Sequence, residues 1–378
     1  MVLAGWLILP ARAGSDRQEA GPAPLPPGMA TANTRLAPGK GAAPWKKPAY
    51  RAVVRSLVGV ADGTLWIGTF GRGAWCLASG STHQVSNPDG TIPSHRISRL
   101  TLSGNRLFAA TAGEGPLTWN LATARWESLL PAPDQRMNYL HGLWADASGT
   151  LVLGSVGSGA ALLSGGQWRY LGAAEGLTDD WVNDVVDDLD GWWLATSRGL
   201  FHLDRRSGRI DRRLFPRDDW DDPDINVLLR IDDRLVLGTT EDGVVIVTPA
   251  GPAARVPGIG GAIHALAGPV NGPAGSGTHL WVAGDRGLWL VTIPLSGTRD
   301  PPRAREVPGP WAAMGNPKAL AVLQNGDLVI GTMQGCLLRL GGSAGAGEPP
   351  PAAGLAPALF ARFEDGQLTL IDQAGGRK

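Results

Sequence analysis

Residues 62–75 read DGTLWIGTFGRGAW: an Asp-Gly turn signal, an apolar run carrying a tryptophan, a glycine-rich bend and a second tryptophan. Alone, the stretch fits a phosphate-cradling loop, a substrate pocket or one unit of a repeat. The rest of the chain decides, because its core, Leu65–Thr69, returns as LFAAT (107–111), LVLGS (151–155), WWLAT (192–196), LVLGT (235–239), LWVAG (280–284) and LVIGT (328–332). The small fourth residues, Gly68, Ala110, Gly154, Ala195, Gly238, Ala283 and Gly331, lie 42, 44, 41, 43, 45 and 48 residues apart. A glycine follows every copy by three or four positions (Gly73, Gly115, Gly159, Gly199, Gly243, Gly287, Gly335), and another apolar run follows each glycine.

Each unit therefore reads as strand, turn, strand, glycine bend, strand and a more variable fourth strand. Units of about forty residues with four strands are the signature of β-propeller blades. One such sheet cannot bury both faces, whereas blades set radially cover one another, so their strands can be continuously apolar. The small residue leaves room where blades press together, and the later glycine supplies a positive φ. The expected fold is all-β, a seven-bladed propeller of four-stranded antiparallel blades over residues 49–340. The phosphate reading fails because neither a helix pattern nor Gly-Lys-Ser/Thr follows GTFGRG.

Composition agrees. Gly (54) and Pro (30) make 84 of the 378 residues, about twice their usual share, as a turn-rich chain requires. Lys+Arg and Asp+Glu are equal at 34 each, which removes the net attraction that nucleic acid or an anionic membrane would need. No nucleic-acid partner is expected. The apolar run Val2–Pro10, followed by Ala11-Arg12-Ala13, reads as a signal peptide over residues 1–13. Residues 14–48 read as a linker and 341–357 as a Gly/Pro-rich loop. No run beyond the start reaches the ~20 apolar residues of a membrane span, so a soluble, periplasmic or secreted monomer is expected.

The match is most specific at residues 170–204, YLGAAEGLTDDWVNDVVDDLDGWWLATSRGLFHLD. Gly176-Leu177, Val182, Asp190-Gly191, Trp193, Thr196, Gly199-Leu200 and Leu203-Asp204 resemble the two-component regulator propeller repeat. The resemblance covers about residues 50–340 and implies a periplasmic sensor-type propeller. The chain departs from that family after the propeller, where neither an immunoglobulin-like module, a membrane helix nor a kinase follows. Instead ALFARFEDGQLTLID (358–372) reads as a hairpin about Asp365-Gly366, which would complete the last blade. The alternative is closure by the segment before Val53.

In a propeller, the loops leading into the innermost strands share one face with the bends after the second strands, and loops on a rigid scaffold carry function. The loops place His95, Arg96, Tyr139, His141, Trp181, Asn183, Asn226 and His264 there, and the bends add Arg72, Glu114, Arg198, Glu241 and Arg286. This mixed polar set suits a saccharide, a peptide or a partner protein. Two acidic loops, LTDDWVND (177–184) and PRDDWDDPD (216–224), could gather carboxylates for Ca²⁺, but the spacing is not that of an EF-hand and nearby arginines can neutralise them. No cofactor or metal is expected. Six histidines form no HExxH pair and no GxSxG elbow occurs, so no catalytic residue is assigned. The resulting expectation is a non-enzymatic binding or sensory module. An assembly scaffold and a polysaccharide-active lyase or hydrolase stand as alternatives. Cys76 and Cys336 read as two buried thiols, with a disulfide as the rival reading.

Overall fold

The computed structural model describes residues 52–130, 135–214, 223–247, 254–270, 277–295, 298, 300–341 and 357–371. The signal-peptide and linker readings, Trp220 and most of the second acidic loop lie outside them. The described strands form seven antiparallel sheets, each built in sequence order from a chain that zigzags outward. Their innermost strands are Val53–Gly59, Ile97–Ser103, Leu140–Ala145, Val182–Asp187, Ile225–Ile231, Ile263–Val270 and Pro317–Val322. Each packs beside the next, and Val53–Gly59 packs beside Pro317–Val322, which closes the ring. The protein is a seven-bladed β-propeller. Helical turns are limited to Gln135–Met137, Ala173–Glu175 and Trp311–Met314 among the described residues.

Six sheets have four strands and the seventh has five, because Ala358–Glu364 and Gln367–Leu370 extend it beyond Cys336–Leu340. The first sheet takes all four of its strands from residues 53–84, so the ring closes by face packing and not by a shared strand. Apolar clusters lie between successive sheets. Val54, Ile67 and Trp75 of the first sheet meet Val329, Leu337, Ala361 and Leu368 of the seventh.

The repeated small residue marks the tightest of these contacts. A Cβ on Gly154 would stand 2.5 Å from the Val182 carbonyl oxygen, and one on Gly238 would stand 2.6 Å from Ile263 Cγ2. In each case the obstruction is the start of the next blade's inner strand. Gly331 meets Val54 in the same way across the closure.

The Thr or Ser after the small residue is also explained. Thr69, Thr111, Ser155, Thr196 and Thr239 are buried, and each hydroxyl donates to the carbonyl of the bend glycine, Gly73, Gly115, Gly159, Gly199 or Gly243. These glycines have φ between 69° and 103°. The opening Gly-x-Gly is a hook between blades. Gly71 and Gly73 donate their N–H groups to the His95 carbonyl at 2.7 and 3.0 Å, and Gly157 and Gly159 do so to that of Asp180 at 3.0 and 2.9 Å. Its amides are occupied by the neighbouring blade, so they do not form a phosphate cradle.

The cysteines lie on opposite sides of their sheets. Cys76 is buried against the second blade and Cys336, only half-buried, faces the sixth, and both are free thiols. Burial raises the Cys76 thiol to about 11.

Candidate ligand-binding site at the channel mouth

Each inner strand carries a β-bulge near its start, and the unpaired residue is in turn Arg55, Ser98, His141, Asn183, Asn226, His264 and Lys318. A bulge re-aims one side chain out of the alternation of its strand. Residues to either side pack between blades, as Val54 and Leu140 do. The bulged residue is left to face the axis, and the charge of Arg55 is felt at His141, His264 and Lys318 in three other blades. Seven side chains thus converge on one channel, one per blade.

Four of the seven, His141, Asn183, Asn226 and His264, belong to the set expected from sequence. Arg55, Ser98 and Lys318 were not in it. Their signal is positional, since in six blades the bulge lies twelve or thirteen residues before the small residue.

Hydrogen bonds tie the ring together. Asn183 Nδ2 donates to the Ile225 carbonyl at 3.0 Å and approaches Asp224 at 3.4 Å, and Asn226 Nδ2 donates to the Ile263 carbonyl at 3.2 Å. Lys318 Nζ, His264 Nε2 and Asp285 Oδ1 form a triangle with sides of 2.5, 2.6 and 3.1 Å. The hydrogen bond from His264, with Lys318 close by, holds the Asp285 carboxyl well below the usual range. Burial lowers both Lys318 and His264, and Asp285 opposes it.

Behind the ring, Asp184 accepts from the Leu228 amide of the next blade at 2.9 Å and from its neighbour Val185 at 2.7 Å. It also pairs with Arg99 of the second blade at 3.0 Å, reaching past the third blade, where the equivalent residue is Gly142. Burial raises the Asp184 carboxyl, while Arg99 and the two amides oppose that.

His141 is strongly displaced from the ordinary imidazole value. Burial first, then Arg55, lowers it to about 4, with Arg99 adding to the effect and a hydrogen bond with Asn183 opposing it. Its imidazole is therefore neutral at pH 7. Because the folded state disfavours the proton, stability from this group is full above the ordinary value of 6.5 and is lost as pH falls toward 4. His264 and His279 are lowered as well and act in the same direction. The expected results are an acid-side loss of stability that begins near pH 6.5, read by denaturant titration, and a His141 midpoint near 4 by NMR.

The remaining expected residues form the rim. Arg96, Tyr139 and Trp181 lie two positions before their bulges and bridge to Phe70, Ala112 and Val156 of the preceding blade. Arg96 pairs with Glu114 at 3.4 Å, and Ser94 donates to the same carboxylate at 2.7 Å. His95, Glu241 and Arg286 are exposed and Arg198 is half-buried. Arg72 departs from expectation: its guanidinium lies 3.2 Å from the Cβ position of Gly366, at the turn of the added hairpin, so it points to the outer edge and away from the channel.

In the first acidic loop Asp179 and Asp184 accept from protein donors, while Asp180 is exposed. Asp179 accepts from Ser197 at 2.7 Å and Asp184 is engaged as above. A different group, Asp188, Asp190 and His202, has ligand atoms within 4.8 Å of one another. It lies at the other end of the fourth blade, where buried His202 meets Asp211 at 2.7 Å through Nδ1 and Asp190 at 3.1 Å through Nε2. Each ring nitrogen of His202 thus faces a carboxylate. A groove of about 310 Å³ between the first and seventh blades, also at that other end, is lined mainly by Leu65, Leu77, Leu323, Val329, Phe360 and Leu370 and holds no acid–base set.

No family model and no curated protein matches the chain. Solved structures do. The extracellular domain of a protein described as a one-component system from B. thetaiotaomicron superposes with a TM-score of 0.59 at 18% identity, over 75% of this chain and 38% of that one. The extracellular domain of a protein described as a hybrid two-component system from the same organism gives 0.58 at 12% identity, over 85% and 49%. A catalytically inactive virginiamycin B lyase from Staphylococcus aureus, with quinupristin, gives 0.57 at 13% identity, over 76% and 94%. The likeness is one of fold. It matches the propeller fold expected from the repeats, and the chain spans less than half the length of either extracellular domain.

Proposed function

We propose that this protein is an exported, non-enzymatic sensory propeller that binds its ligand at the channel mouth. One observation carries the reading: seven bulges aim seven side chains, six of them polar donors or cations beside one hydroxyl, into a single channel that opens onto the loop-rich rim. Ligand sites combine such convergent polar groups with aromatic walls, which Tyr139 and Trp181 supply here. The sensor propellers of similar fold support the sensory part. No helix of the described residues is long and apolar enough to cross a membrane.

The test screens oligosaccharides and short peptides against the full chain by native mass spectrometry. Ligands retained by the wild type are expected to be lost in Trp181→Ala. They should persist in Leu189→Ala, which alters an exposed side chain at the opposite end. Binding that ignores Trp181 but is lost with Leu189 would overturn the reading.

A further inference from the structure

From the charge arrangement around the channel we infer that the ligand carries a carboxylate, which docks on Arg55. This rests on the channel mouth being the recognition site. Three cations at or beside the bulges lie in adjacent blades, Lys318 in the seventh, Arg55 in the first and Arg99 in the second. Two of them have anions of their own, Asp285 for Lys318 and Asp184 for Arg99. Among the described residues no carboxylate pairs with Arg55 and no acceptor bonds it. Its side chain is open to the channel water yet enclosed by the ring, and that enclosure, with Arg99 beside it, lowers its pKa.

A guanidinium crowded by protein and by a second cation, with no counter-ion, is a position that an anion would relieve. Its planar fork matches a carboxylate through two parallel N–H···O bonds. The neighbouring bulge residues add to the case. Ser98 offers a hydroxyl and neutral His141 a ring N–H, so neither brings a negative charge against the incoming group.

The far side of the channel has the opposite character. Asp224, Asp179 and Glu241 gather at the mouth of the fourth and fifth blades, where burial raises Asp224, a hydrogen bond with Thr240 opposes it, and the charges of Asp179 and Glu241 add to the rise. Those blades stand across the ring from the first. A ligand bound through its carboxylate at Arg55 would turn hydroxyl or amide donors toward these acceptors. Of the two cations among the seven bulge residues, Lys318 is neutralised by Asp285 and Arg55 has no carboxylate among the described residues, so one negative charge completes the ring. The chemistry specified is a monocarboxylate that also bears hydroxyl groups.

The probe is glucuronate, with glucose as its neutral counterpart and inorganic phosphate as a compact oxyanion, titrated into the full chain by calorimetry at constant ionic strength. Glucuronate is expected to bind at least tenfold more tightly than glucose. Arg55→Gln should remove at least tenfold of that affinity and Arg55→Lys, which keeps the charge but loses the fork, should fall between. The denaturation midpoint of the same Arg55→Gln chain without ligand reports its integrity, and in the folded chain the His141 midpoint should rise only modestly from about 4, because burial, the larger cause of its displacement, remains. Equal affinity for glucuronate and glucose, or glucuronate affinity that Arg55→Gln leaves unchanged, would overturn the inference. Phosphate binding tighter than glucuronate would overturn the carboxylate assignment. If oligosaccharides or peptides bind in a way that needs Trp181 and ignores Arg55, this inference fails and the recognition site stands. If no probe binds at the mouth, both fail.

Discussion

A chain ending at Gly341 is expected to lose on the order of 5 kcal/mol of stability, taking about 1.5–3 kcal/mol for each large apolar side chain taken out of water. The missing hairpin contributes Leu368 and Ile371, both buried, and Ala361, which is fully so. Its removal also strips cover from Leu337 and Leu338, which are buried in the third strand of the seventh blade. Two contacts reach further. Thr82 of the first blade donates to the Leu368 carbonyl at 2.8 Å, and Phe363 packs edge-on against buried Trp75 with ring centroids 5.5 Å apart. The hairpin therefore supports the closure as well as the seventh blade. Denaturant unfolding of the full and shortened chains measures the difference. A loss below about 1 kcal/mol would mean that closure rests on the Gly331–Val54 face alone and that the hairpin is an appendage.

The seven blades were legible because burial of both faces writes continuous apolar runs, and because one small residue and one bend glycine recur in every copy. Their physical roles, a close approach between blades and a positive φ, are the same in each copy, so they survive where other positions drift. The channel ring was only half legible. In VVRSLVGV, Arg55 and Ser56 are the polar residues of an otherwise apolar strand, and alternation alone assigns Arg55 to a solvated face. A bulge is a backbone event without a residue type of its own, so nothing but its distance from the small residue announces it. The pairing of Arg99 with Asp184 joins blades two apart and has no local signal at all. The sixth copy did carry a hint. It ends in Gly284-Asp285 where the five copies before it have Thr or Ser, and Asp285 is the residue that gathers His264 and Lys318.

The same cross-blade pairing yields the second large effect. Asp184→Ala is expected to destabilise the protein by about 3–5 kcal/mol, the range for breaking a buried ion pair by removing one partner. Three groups lose their acceptor at once: the Arg99 guanidinium and the amides of Leu228 and Val185. The first blade shows how to separate their contributions. There Ser56 holds the equivalent position after the bulge, and its hydroxyl accepts from the Leu100 amide of the second blade at 2.9 Å, as Asp184 does from Leu228 of the fifth. Asp184→Ser should therefore restore an acceptor for Leu228 without restoring the charge. It is expected to recover about 1–2 kcal/mol relative to alanine, the usual contribution of a buried hydrogen bond of this kind. Arg99 retains some access to channel water, with 31% of its side chain exposed, so its unpaired charge should cost less than a sealed one would. Denaturation midpoints of the two variants measure the split. Serine no better than alanine would show that the ion pair, and not the amide cap, holds these blades in register.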